Sequence, residues 1–175
     1  AVLFGDGAGA AVIGRAKDEK SGLLSVALHA DGSAAQDLWL EAPASKHIPR
    51  ITKEMIDEGR HFPKMKGKQV FRWATDKMPA VAHEVLGKAG LGIKDVDLFV
   101  PHQANMRINQ LVGWRLEIDE EKVVHNIEKY GNTTAATIPM ALDAAIQDGR
   151  LTAGKTVLLA AFGAGFTWAG AVLRF

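Results

Sequence analysis

The strongest constraint on the fold lies between residues 69 and 175, where strand-length apolar runs alternate with stretches of helical period. From Gln69 to Ala89, the residues Val70, Ala74, Met78, Val81, Val85 and Leu86 recur at helical spacing, and Gly87 and Gly90 end the helix. Val96 to Pro101 reads as a buried strand, and a helix follows from about Gln103 to Leu116. Lys122 to His125 reads as a short strand, and Asn132 to Asp148 as an alanine-rich helix stopped by Gly149. Thr156 to Ala161 and Thr167 to Phe175 form a strand pair joined through Phe162-Gly163-Ala164-Gly165. This alternation predicts α/β architecture, with a largely buried sheet covered by helices and an antiparallel component from the closing pair.

The first third of the chain is less regular. Ala1 to Arg15 sets small and apolar residues around Gly5, Gly7, Gly9 and Gly14, which suggests an extended segment with a tight bend and Ala11-Val12-Ile13 as strand. Gly22 to Ala30 reads as a second strand closed by a turn at Asp31-Gly32. Residues 33 to 66 are polar and irregular, with Pro43, Pro49 and Pro63, and read as a lid-like segment. Gly5-Asp6-Gly7-Ala8-Gly9-Ala10 matches the G-x-G-x-x-A pattern of dinucleotide loops. Such a loop must open a helix, and apolar Ala11-Val12-Ile13 argues against one.

Composition narrows the function classes. A net charge of +1 over 175 residues argues against nucleic acid as the main partner. No apolar run is long enough for a membrane span, because the stretch from Thr156 is broken at Gly163 and Gly165. The chain has no cysteine, which removes disulfides, zinc-thiolate sites and a cysteine nucleophile from it. The sequence opens inside an apolar segment without a Met, so the expectation is a piece of a longer protein. The six histidines lack paired metal-ligand spacing.

Three segments could carry chemistry. In Val100-Pro101-His102-Gln103-Ala104-Asn105, His102 sits just past the carboxyl end of an apolar strand, the edge where α/β sheets collect catalytic groups. A histidine that caps the helix or bonds a loop fits the same position. In Tyr130-Gly131-Asn132-Thr133, Gly131 permits a tight turn, and Asn132 or Thr133 stands at a helix start, where capping is the plain alternative. In Phe162-Gly163-Ala164-Gly165, small residues between strands let backbone amides approach a ligand, as an oxyanion hole requires. A simple β-turn explains the same residues.

Taken in order, Phe4-Gly5-Asp6-Gly7-Ala8-Gly9-Ala10, Leu28-His29-Ala30-Asp31-Gly32, Val100-Pro101-His102-Gln103-Ala104-Asn105, Gly131-Asn132-Thr133 and Phe166-Thr167-Trp168 form a more specific pattern. It closely resembles the β-ketoacyl-acyl-carrier-protein synthase III family, from the first residues to Phe175 but only over the second half of such an enzyme. The resemblance implies a thiolase-like fold of two similar α/β halves, each a five-stranded mixed sheet covered by helices. The chain would be the C-terminal thiolase-like domain, residues 1–175, with the catalytic cysteine in an N-terminal half outside it.

By resemblance, His102 and Asn132 are the catalytic histidine and asparagine, and the backbone amide around Ala164 contributes to an oxyanion hole. Met65, Gly67 and Phe71 match residues lining a pantetheine passage for CoA, with Asn105 contacting the arm. Arg72, Arg107 and Arg115 match a basic surface that docks acyl carrier protein; Arg107 and Arg115 would share roughly one helix face. The resemblance implies a cytoplasmic homodimeric acyltransferase of fatty acid biosynthesis. It would use acyl-CoA and malonyl-acyl-carrier protein, with no cofactor, metal, nucleic acid or membrane partner. A secondary-metabolite ketosynthase of the same fold, or a non-catalytic scaffold that docks carrier protein, would share these features.

Overall fold

The structure, a computed structural model, describes residues 3–16, 18 and 20–175. In chain order its elements are β1 (Gly22–Ala30), β2 (Leu38–Trp39), α1 (Lys53–Asp57), β3 (Lys64–Met65), α2 (Gly67–Lys88), β4 (Leu98–Pro101), α3 (Met106–Arg115), α4 (Ile127–Tyr130), α5 (Thr137–Gln147), β5 (Thr156–Gly163) and β6 (Thr167–Arg174). The main sheet runs β1-β6-β5-β4, with β4 and β5 parallel and the other pairs antiparallel. The expected α/β mixed sheet is therefore present.

Among the described residues the sheet has four strands, not five. On the free side of β4, where a fifth would lie, Val123 makes one parallel bridge to Phe99 and the Val124 N–H donates to the Phe99 carbonyl. The expected strand over Lys122–His125 shrinks to this bridge because a short 3-10 turn, Glu120–Lys122, runs directly into it.

Every residue of β4 is buried, and alternate side chains enter two different cores. Phe99 points into the larger one with Leu158, Ala160 and Val172 under α2 and α3. Leu98 and Val100 enter the smaller one with Val157, Ala141 and Ala145 under α5. Period-two strands between helices on both faces explain why β4 reads as continuously apolar. β1, at the other edge, is covered on one face only, which leaves Val26 and Leu28 exposed.

Helix α2 contains a buried proline, Pro79, which cannot donate to the Thr75 carbonyl one turn earlier. The Arg115 guanidinium at the end of α3 fills that vacancy by donating to the Thr75 carbonyl. The polar stretch 33–66 is more ordered than its composition predicts. Asp31 caps a 3-10 helix over Gly32–Asp37 in place of the simple turn. β2 pairs with β3, and Asp37–Lys66 (2.7 Å) and Glu41–Lys64 (2.7 Å) ion pairs flank that pairing.

The expected strand at Ala11-Val12-Ile13 is not formed. Val12 and Ile13 are fully exposed, and no strand among the described residues pairs with them. An extended segment cannot register as a strand without a neighbour to complete its ladder.

Candidate active site

Parallel pairing puts the carboxyl ends of β4 and β5 on one edge of the sheet. The ladder continues one residue past β4, where the His102 N–H donates to the Ala160 carbonyl at 2.9 Å. This holds the histidine backbone to the sheet. The next residue, Gln103, is fully buried. Its Nε2 donates to the Pro101 and Val124 carbonyls, and its Oε1 accepts from the Asn126 N–H. Gln103 thus struts the strand exit against the 124–126 segment, a role that its place in the motif does not announce. Asn105 is the cap of α3, accepting the Arg107 N–H at 2.9 Å, so α3 begins at Met106 and His102 is left free of capping.

His102 is largely buried, and desolvation holds its imidazole below the ordinary histidine range. The ring is therefore neutral near pH 7. Its Nδ1 lies 2.6 Å from the Thr137 hydroxyl, and among the described residues Nε2 makes no hydrogen bond.

Asn132 is held from the opposite end of the chain. Its N–H donates to the Leu3 carbonyl at 2.9 Å, and its carbonyl accepts the Gly5 N–H at 3.1 Å. Gly5, Gly7 and Gly9 occupy alternate positions of this extended segment, hence one face of it. A Cβ on that face would lie 1.8 Å from the Tyr130 carbonyl oxygen, 2.7 Å from the Met140 sulfur and 2.4 Å from Pro139 Cγ, respectively. The glycines that mimic a dinucleotide loop are instead a flat face packed against the end of α4 and the first turn of α5. Gly131, at φ 68°, makes the turn itself.

The helix expected to begin at Asn132 begins at Thr137, after a 3-10 turn over Thr134–Ala136. The Asn132 Oδ1 accepts the Thr134 N–H at 2.9 Å, and Thr134 is left-handed at φ 54°. That local turn competes with helix and delays its start. Asn132 Nδ2 makes no hydrogen bond among the described residues. The Thr137 Oγ1 lies 3.0 Å from the Thr134 carbonyl oxygen, so a chain of contacts runs from His102 through Thr137 and Thr134 to Asn132. Thr137 is the residue that sequence reasoning missed. A threonine at a helix start carries no signal beyond helix propensity, and only the crossing of β4 with α5 gives it a partner.

Ala164 sits at the exposed tip of the β5–β6 turn, on the same sheet edge as His102. It lies outside the left-handed region, so its methyl group is accommodated without strain. Fully buried Phe166 anchors the turn against Phe162 and Trp73, with ring centroids 4.8 and 5.4 Å away. Met65 and Gly67 are exposed and Phe71 half-buried where β3 runs into α2. Arg72, Arg107 and Arg115 are all exposed, and the Arg115 guanidinium also donates to the Thr75 carbonyl, tying α3 to α2. A groove of about 740 Å³ lies beside the glycine segment, lined by Gly9, Tyr130, Pro139 and Met140, but not by His102 or Asn132.

Residues 86–175 match the family described as 3-oxoacyl-[acyl-carrier-protein (ACP)] synthase III C terminal, and residues 1–32 match the companion 3-oxoacyl-[acyl-carrier-protein (ACP)] synthase III description. The chain belongs to the 3-oxoacyl-[acyl-carrier-protein] synthase III family. The β-ketoacyl-[acyl-carrier-protein] synthase III of Syntrophomonas wolfei is 45% identical over 174 residues, covering 99% of this chain and 52% of that protein. The solved synthase III of Thermus thermophilus superposes with a TM-score of 0.80 at 40% identity, over 90% of this chain and 47% of that one. The priming β-ketosynthase of the R1128 polyketide pathway is also similar, with a TM-score of 0.74 and 34% identity over 88% of this chain and 45% of that one. The chain spans about half the length of the curated synthase III relatives that it matches. Among the described residues, no helix of this family member is long and apolar enough to cross a membrane.

Proposed function

We propose that this chain is the half of a condensing enzyme that activates malonyl-acyl-carrier protein, completed by an N-terminal half that carries the cysteine nucleophile. The observation that carries the reading is the coupling of His102 to Asn132 through Thr137 and Thr134, with one unused nitrogen on each side chain. Two such nitrogens beside a sheet edge suit an oxygen that gains negative charge during reaction.

In the proposed cycle the cysteine thiolate attacks the thioester carbonyl of acyl-CoA, the C–S bond to CoA breaks, and CoA leaves as its thiolate. Malonyl-acyl-carrier protein then enters. Its terminal carboxylate leaves as carbon dioxide, and the electron pair of the broken C–C bond forms an enolate on the thioester. His102 Nε2 and Asn132 Nδ2 stabilise that enolate oxygen. The enolate carbon attacks the acyl-cysteine carbonyl. The resulting tetrahedral oxyanion, held partly by the Ala164 N–H, collapses and expels the cysteine thiolate. No cofactor is needed in this sequence.

Met65, Gly67, Phe71 and Asn105 would line the pantetheine arm. For Asn105 the supporting detail is that its Oδ1 is engaged in capping while its amide nitrogen remains for a ligand. Arg72 and Arg107 would attract the acidic carrier protein, an attraction that salt weakens. Arg115 would act there chiefly through its support of α2. A cytoplasmic homodimer belongs to the same proposal. Likeness to the R1128 priming ketosynthase favours one second reading, a polyketide-priming enzyme with the same chemistry on a different acyl group.

The test uses the complete synthase with both halves. His102→Ala and Asn132→Ala should each lower malonyl decarboxylation by about 100-fold or more, the scale of losing an oxyanion donor. Transfer of the acyl group to the cysteine should persist. Equal loss of both half-reactions in folded protein would sink the role assignment, and transfer of the acyl group to an acceptor other than malonyl-acyl-carrier protein would favour the second reading.

A further inference from the structure

We propose that Thr137 is a positioning residue that fixes the tautomer of His102, donating its hydroxyl proton to Nδ1 so that Nε2 carries the ring's N–H. The inference rests on the role of His102 proposed above and specifies how a neutral histidine can serve it.

Thr137 is 2% exposed, and its hydroxyl has two neighbours within hydrogen-bond reach. His102 Nδ1 is 2.6 Å away and the Thr134 carbonyl oxygen 3.0 Å away. One hydroxyl carries one proton, so it can serve only one of them as donor. If it turns to Thr134, the ring must donate from Nδ1, and Nε2 is then a bare lone pair. If it turns to His102, Nδ1 accepts and Nε2 holds the proton.

Two observations favour the second arrangement. The Thr134 carbonyl already receives the Thr137 backbone N–H, so it is not left without a partner when the hydroxyl turns away. The contact to histidine is also the shorter of the two. The ring itself stays neutral, because burial disfavours the imidazolium and Thr137 opens α5, whose amino-terminal dipole end is positive. A neutral ring has one N–H, and its tautomer decides whether it attracts or repels an oxyanion.

The Nε2–H form makes His102 a donor that needs no proton from solution and does not release one during the reaction. That separates its work from proton transfer. It also explains why a buried threonine occupies the first position of a helix whose neighbouring turn is already capped by Asn132.

The experiment uses the complete synthase with 15N-labelled histidine, as wild type, Thr137→Val and Thr137→Ser. In wild type, the His102 resonances should show a protonated Nε2 and a hydrogen-bonded, unprotonated Nδ1. Thr137→Val, which keeps the shape and loses the donor, should shift the Nδ1 resonance. It should also lower kcat for malonyl decarboxylation by about 10- to 100-fold, the scale known for removing the outer partner of a metal-bound histidine, whose tautomer is fixed in the same way. KM should change little, and Thr137→Ser should restore both signals. A wild-type spectrum with the proton on Nδ1, or a Thr137→Val enzyme with unchanged kcat, overturns the inference. His102→Ala in the same assay separates the two levels. If it decarboxylates normally, the underlying reading has failed. If it is inactive while the wild-type proton sits on Nδ1, the tautomer assignment alone has failed.

Discussion

His102 and Asn132, the pair placed together in the proposed cycle, are held in different ways. His102 belongs to the sheet: its backbone extends the β4–β5 ladder, Gln103 struts the strand exit, and both faces of β4 are buried. Asn132 belongs to a turn clipped by two backbone hydrogen bonds to residues 3–5, on a segment whose outer residues Val12 and Ile13 are bare to solvent. Burial on both faces of β4 predicts that His102 moves only with global unfolding, and two backbone hydrogen bonds predict that the Asn132 clip opens locally at lower cost. The pair is therefore held on one side by burial and on the other by a docked extended segment.

The sharpest way to break the comparison is Phe99→Ala, which empties the fully buried centre of β4. It should cost about 3–5 kcal/mol and shift the whole urea unfolding transition. Loss of the Asn132 clip without a shift in that transition would contradict the division. Gly5→Ala should act on the other half, because its methyl group would collide with the Tyr130 carbonyl. A penalty of about 1–3 kcal/mol should appear as lost hydrogen-exchange protection at Gly5 and Asn132, with β4 unchanged.

The smallest effect concerns pH. Burial lowers the His102 pKa in the folded state, so above the unfolded value near 6.5 both states are neutral and nothing is gained or lost. As pH falls below that value, the unfolded chain takes up a proton that the folded chain resists, and stability declines. The unfolding midpoint should therefore fall between pH 7 and 5, and His102→Gln should flatten part of that fall. An identical pH dependence in both proteins would show that His102 is solvated.

Much of this arrangement is readable in the residues. The periodicity of Val70 to Leu86 locates α2, and the apolar run before His102 locates β4 and the site edge. The pattern from Phe4 to Trp168 carries the family. Three features were not readable. The strand at Ala11-Val12-Ile13 fails because strand propensity cannot supply a partner. The helix start slips from Asn132 to Thr137 because the Asn132 side chain bonds Thr134 first. Arg115, read as part of a basic docking surface, is exposed, and its added bond to the carbonyl that Pro79 leaves without a helical donor could not be read from the sequence. A signal for the glycine face was present, since Gly5, Gly7 and Gly9 alternate as one side of an extended chain must.

The sequence by itself determined the main element types, the buried sheet, the family and the candidate residues His102 at the sheet edge and Asn132 before a helix, because periodicity and short motifs are local and survive without coordinates. Only the tertiary structure decided what each of those residues leans on. Thr137 meets His102 because α5 packs across β4, and Gly5 meets Asn132 because the first segment folds back over the turn before α5. Such contacts join residues far apart in the chain, and their energies depend on distance and direction, neither of which a string of residues contains.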